Sequence, residues 1–182
     1  MLPERTPGAS AVADEWLDVV DMNDAVTGTA RRGDIHAQGL LHRAVHMLVF
    51  NRRDELYLQR RSMQKDTAPG LWDTSAAGHV NSGECYTDAA QRELAEELSL
   101  VNEQLVPLWK LAPSEKTGQE FVMVYACRTQ AQPQPDRVEI AAGGWRTLAD
   151  VRDWMSREPA VFTGTLKLIM SRLRDSMLIT IR

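Results

Sequence analysis

Three carboxylates, Glu93, Glu96 and Glu97, crowd five residues of the segment GHVNSGECYTDAAQRELAEELSL, with Glu84 upstream. In a helix, at about 100° per residue, Glu96 and Glu97 lie roughly 60° and 40° either side of Glu93, on one narrow stripe. Like charges at these spacings oppose each other by a few tenths of a kcal/mol per pair. Thr87, Ala90, Leu94 and Leu98 form an apolar edge beside the stripe, so the carboxylates stand at a core boundary, where desolvation strengthens the repulsion. A divalent cation that prefers oxygen ligands resolves it. An ordinary solvated acidic face with an Arg92–Glu96 pair is the alternative.

The spacing around the stripe carries more. From Gly78 it reads G-x5-E-x7-R-E-U-x-E-E, with Leu100 closing the pattern. This resembles the Nudix box, G-x5-E-x7-R-E-U-x-E-E-x-G-U, where U is a bulky aliphatic residue. Ser99 departs from it, standing where the box has its second glycine. Serine is poorly suited to a left-handed helix end, so a different helix exit is expected there.

The flanking elements are those that such a segment needs. Trp16 to Asp21 and Val26 to Ala30 suggest a hairpin. Ala44 to Phe50 reads as a buried strand and Glu55 to Gln59 as a second. Residues 61 to 77 read as a long loop. Strands are expected over Leu105 to Ala112, Phe121 to Cys127 and Gly143 to Thr147, and helices over Leu148 to Arg157 and Thr163 to Asp175. The mixture points to an α/β or α+β layered domain. The resemblance implies an α/β class, an α/β/α sandwich around a mixed sheet. Residues 1–13 read as a loose tail and 14–182 as a single domain.

Composition sets the limits. With 182 residues, 43% of them hydrophobic, 25% charged and a net charge of −4, the chain suits one globular domain. No global positive field attracts a nucleic-acid backbone, and no apolar run is long enough for a membrane span. Two cysteines, Cys85 and Cys127, suggest no disulfide framework, so a cytoplasmic protein is expected. The expected partner is a small phosphorylated molecule, and the chain a monomer or homodimer.

The segments GLLHRAVHMLVFNRRDELYLQRRS and PGLWDTSAAGH extend the resemblance to isopentenyl-diphosphate isomerases and their hydrolase relatives. The isomerase pattern requires a cysteine where this chain has Ala77. It pairs two glutamates where this chain has Gly118 and Glu120, and its tryptophan aligns loosely with Thr165. Alanine cannot move a proton at carbon. The reading is a metal-dependent hydrolase of a diphosphate linkage in a nucleoside diphosphate or its derivative. The alternatives are an isomerase-like enzyme and a non-catalytic nucleotide-binding module.

The resemblance implies Mg²⁺, with Mn²⁺ as a substitute, held by Glu93 and Glu97 with contacts from Glu96 and the Ala77 carbonyl. Water attacks phosphorus in line. Glu96 and Glu120 are the candidate bases, with Glu120 preferred because Arg92 pairs with Glu96. Arg92 orients a box glutamate. Arg60, Arg61 and Lys65 are candidates to neutralise the distal phosphate, against a reading as solvated charges. Trp72 is a candidate base-stacking ring, against a place in the core. His36, His42 and His79 resemble the isomerase's metal-binding histidines. The missing cysteine and glutamate favour surface or loop histidines bonded locally instead.

Overall fold

The computed structural model describes residues 15–179; the expected tail over 1–13 lies outside them. The chain opens with a hairpin of β1 (Trp16–Val20) and β2 (Val26–Arg31), followed by a short helix α1 (Arg32–Gln38). Then come β3 (His42–Phe50), β4 (Leu56–Arg61), β5 (Trp72–Asp73), β6 (Ala76–His79), helix α2 (Tyr86–Leu98), β7 (Val106–Leu111), β8 (Glu120–Arg128) and β9 (Ile140–Arg146). Helices α3 (Leu148–Arg157) and α4 (Gly164–Arg172) complete the order. The main sheet runs β5-β4-β3-β8-β7, with β6 added to β3 and β9 to β4. It is mixed: β3 and β8 run parallel, and the other pairs antiparallel.

Alternation along β3 divides the molecule. Ala44, Leu48 and Phe50 pack with Leu58, Val122, Val124, Val151, Leu166 and Ile169 on the α3/α4 face. Val45, Met47 and Val49 pack with Ala89, Ala90, Leu94 and Leu98 of α2 on the other. Successive strand side chains point to opposite faces, so one apolar strand feeds two cores. This is an α/β fold with helices on both faces of a mixed sheet.

Three expectations are corrected. Residues 61–77 are not one loop, because β5 and the start of β6 fall within them. Their small polar residues are buried in the sheet: Ser75 Oγ donates to Tyr57 O at 2.6 Å and accepts from Val49 N at 2.8 Å. Helix α1 was not expected; its seven residues include Gly33 and Asp34, poor helix formers that hide its periodicity. Thr87 is exposed, its hydroxyl 3.0 Å from Tyr125 Oη, and Ala89 supplies the buried contact instead.

The exit of α2 is a fourth correction. Ser99 takes the left-handed conformation, φ 55° and ψ 28°, that a glycine would take there. Its N–H bonds Ala95 O at 3.1 Å, and Leu100 N–H bonds Leu94 O at 3.1 Å. The helix exit of the glycine pattern is kept, with strain in place of glycine.

Candidate active site

A cleft of about 1530 Å³ lies between the box loop, the 61–68 segment, β8 and the start of α4. Helix α2 presents Glu93 and Glu97 to it, 8% and 3% exposed. Burial pushes both carboxyls up, Glu93 against the Arg92 guanidinium and Glu97, to about 7, against the Lys65 ammonium. Glu97 Oε2 accepts from Gln59 Nε2 at 3.0 Å and Ala77 N at 3.2 Å. Lys65 Nζ lies 3.7 Å from Glu97 Oε1 and pairs with Glu139.

Arg92 ties the box together. It donates to both Glu84 oxygens at 3.0 Å, to Glu93 Oε1 at 2.7 Å, to Glu96 Oε2 at 3.1 Å and to His79 O at 2.9 Å. These charge-assisted bonds fix the carboxylates in one arrangement. Glu96 differs from its neighbours: its side chain is 60% exposed on the cleft wall.

A second group forms on the α3/α4 face. The parallel register sets His42 beside Glu120, and the β3–β6 register brings His79 opposite Ala44. Helix α1 adds His36. Ligand atoms of His36, His42, His79 and Glu120 all lie within 4.8 Å of one another. Glu120 Oε1 is 3.4 Å from both His42 Nε2 and His79 Nε2, and His36 Nε2 is 3.3 Å from His79 Nε2. The outward nitrogens are held from behind. His42 Nδ1 is 2.9 Å from Leu40 O, His36 Nδ1 is 3.5 Å from Asp66 Oδ2, and His79 Nδ1 is 3.7 Å from Glu15 Oε2.

This geometry corrects the reading of surface histidines, although His42 Nδ1 keeps a local bond to Leu40 O. His42 is 1% exposed, and its buried Nε2 has no hydrogen-bond partner. An orphaned buried nitrogen facing two imidazoles and a carboxylate has the donor chemistry that a transition-metal or zinc ion would satisfy. The residues fit a cation. Burial lowers the pKa of His79, but hydrogen bonds to Glu120 and Glu15 override it and raise the ring to about 9. Burial likewise raises Glu120, yet the flanking His42 and His79 hold its carboxyl far below the usual range.

Other expected residues lie elsewhere. Arg60 donates to Gly70 O at 3.0 Å on an exposed surface, and Trp72 stacks edge-on to Trp154 at 5.2 Å against the α3/α4 core. Neither is among the residues that line the cleft. Arg61 does line it, but its donors serve Thr67 O, Thr67 Oγ1 and Asp73. Lys65 remains as a half-buried cation facing the carboxylates. Glu15, Asp66 and His46 line the cleft and were not expected from sequence. None carries a spacing signal, since each reaches the site only through the fold.

The solved structure of DR0079 from Deinococcus radiodurans superposes with a TM-score of 0.76 at 32% identity, covering 87% of this chain and 98% of that one. An uncharacterized Nudix hydrolase of Nostoc is 37% identical over 160 residues, 85% of this chain and 94% of the relative. An isopentenyl-diphosphate Delta-isomerase of Burkholderia multivorans is 34% identical over 155 residues, 82% of this chain and 88% of the relative. The NUDIX domain family model matches residues 40–164, so the chain belongs to the Nudix family.

Proposed function

We propose that the protein is a divalent-cation-dependent hydrolase of a diphosphate linkage. The observation that carries this reading is the pair of buried carboxylates facing a large cleft, Glu93 braced by Arg92 and Glu97 by Gln59 and the Ala77 N–H. Two such carboxylates, destabilised as anions by burial, gain most from a cation. Glu93 and Glu97 would hold Mg²⁺ or Mn²⁺, with Glu96 and the Ala77 carbonyl close by. A cation there supplies charge neutralisation and Lewis-acid polarisation at the phosphoryl oxygens.

The chain's own residues do the rest. Lys65 lies beside Glu97 and is placed to meet phosphate charge. The attacking water must lose a proton to a carboxylate. Glu120, held ionised by two histidines, is a weak base and a better ligand. This reverses the preference drawn from sequence. Glu96, exposed on the cleft wall, is the carboxylate left to accept the proton.

The second reading, isomerase-like proton transfer, draws on the intact His36, His42, His79 and Glu120 cluster and on the isomerase relatives. Ala77 opposes it, because no thiol stands above the cleft at that position. Phosphate and pyrophosphate release across nucleoside di- and triphosphates, with Mg²⁺ or Mn²⁺, tests the hydrolase. Full turnover in excess EDTA would remove it. Solvent deuterium entering isopentenyl diphosphate above background would establish the isomerase instead.

A further inference from the structure

His46 shares a face of β3 with His42, four residues away, but stands outside the histidine–glutamate cluster. It is 5% exposed, lies opposite Ala77 in the β3–β6 register, and lines the cleft.

Hydrogen bonding points to one tautomer. Nδ1 lies 2.7 Å from Thr74 Oγ1 and 3.8 Å from the Asp73 Oδ1 carboxylate, an acceptor only. With the Thr74 hydroxyl donating to Ala76 O at 3.3 Å, its oxygen accepts from the imidazole. Nδ1 therefore carries the ring proton, and Nε2 carries the lone pair. Nε2 has no hydrogen-bond partner among the described residues.

Asp73 keeps the ring in this orientation. Its Oδ1 is 3.8 Å from Nδ1 and accepts from Thr163 Oγ1 at 2.9 Å and Thr74 N at 2.8 Å. Its Oδ2 faces Arg61 Nη1 at 3.5 Å. Burial lowers the pKa of His46, against the opposing field of Asp73 and Glu120. A rigid acceptor in this tautomer faces the cleft with no protein donor. A buried acceptor left unpaired in a complex is costly, so it selects ligands that bring a donor.

We infer that His46 is a specificity-determining residue whose Nε2 accepts a hydrogen bond from a hydroxyl or amino group on the organic half of a diphosphate substrate. This rests on the hydrolase reading and adds a substrate class to it. A sugar or nucleoside moiety brings such donors. An isoprenoid chain brings only C–H and leaves Nε2 unpaired.

Two variants separate the acceptor from the scaffold. Asparagine places an amide N–H near the Nδ1 position and so keeps the Thr74 bond, while removing the Nε2 acceptor. Glutamine returns a carbonyl oxygen to the Nε2 position. Calorimetry with Mg²⁺ on the full chain compares ADP with isopentenyl diphosphate, which share the diphosphate monoester. The wild type is expected to prefer ADP. His46→Asn is expected to reduce that preference by about tenfold, and His46→Gln to restore most of it. An ADP preference unchanged in His46→Asn, or no binding of either diphosphate, overturns the inference. Absence of turnover with His46-dependent discrimination intact would instead remove the hydrolase reading and leave the role of His46 standing.

Discussion

The Glu93 carboxylate occupies the space that a side chain on residue 78 would need: a Cβ built on Gly78 falls 2.0 Å from Glu93 Oε1. The first glycine of the box is therefore an opening into which α2 pushes its carboxylate, next to Arg92. Gly78→Ala is expected to displace Glu93. Activity should fall by on the order of 10²-fold or more, with a higher Mg²⁺ concentration for half-maximal rate. Normal turnover in Gly78→Ala would mean that the position of Glu93 does not matter.

Glu97→Gln separates stability from chemistry. The carboxyl is buried and its pKa is raised to about 7, so above that pH its charge opposes folding in the absence of a cation. The neutral variant is expected to melt in EDTA at pH 8 at or above the wild-type temperature. Its kcat should nonetheless drop on the order of 10²-fold or more. Undiminished kcat would reduce the box to a structural motif and favour the binding-module reading.

The two candidate bases are distinguished by paired substitutions. Glu96→Gln is expected to depress kcat and remove the acidic limb of the pH–rate profile, with Mg²⁺ dependence little changed. Glu120→Gln is expected to weaken metal retention at the histidine cluster. The opposite pattern would return Glu120 to the role of base.

His79 is expected to make cation uptake pH-dependent. Its ring is raised from 6.5 to about 9 by Glu120 and Glu15 in spite of burial, so at neutral pH it holds a proton that a cation must expel. Zn²⁺ or Mn²⁺ affinity, measured from pH 6.5 to 9.5, is expected to rise up to tenfold per unit and level off near 9. The stability sign runs the other way. A raised folded pKa stabilises fully below 6.5, and that contribution is lost as pH rises through about 9. Metal-free protein should thus lose melting temperature across this window. A pH-independent affinity would show that His79 is neutral or is not a ligand.

Ser99→Gly removes the Cβ from a left-handed position. It is expected to stabilise the protein by up to about 1 kcal/mol, reduced by the added freedom of the unfolded chain. Denaturant midpoints with unchanged slope would measure it, and a lower midpoint would contradict the strain assigned to Ser99.

The box helix was legible because its carboxylates and leucines obey one period, and the strands because β3 and β8 are nearly continuous apolar runs. What sequence could not show depends on pairing. His36, His42 and His79 are scattered along the chain, and only α1, the β3–β8 register and β6 bring them to Glu120. Trp72 and Arg60 sit near the box in sequence, yet β5 turns Trp72 toward Trp154 and the end of β4 turns Arg60 toward Gly70. His46 stands inside an apolar strand, where a lone histidine reads as core until Thr74 is seen to bond its Nδ1.

Along β3 the chemistry and the packing are interleaved residue by residue. A one-position slip would swing His42 and His46 under α2 and push Val45 and Met47 toward the cleft. Imidazoles would then be sealed among leucines, and the histidine–glutamate cluster would lose a member. A misregistered chain would therefore lose its packing and this cluster together.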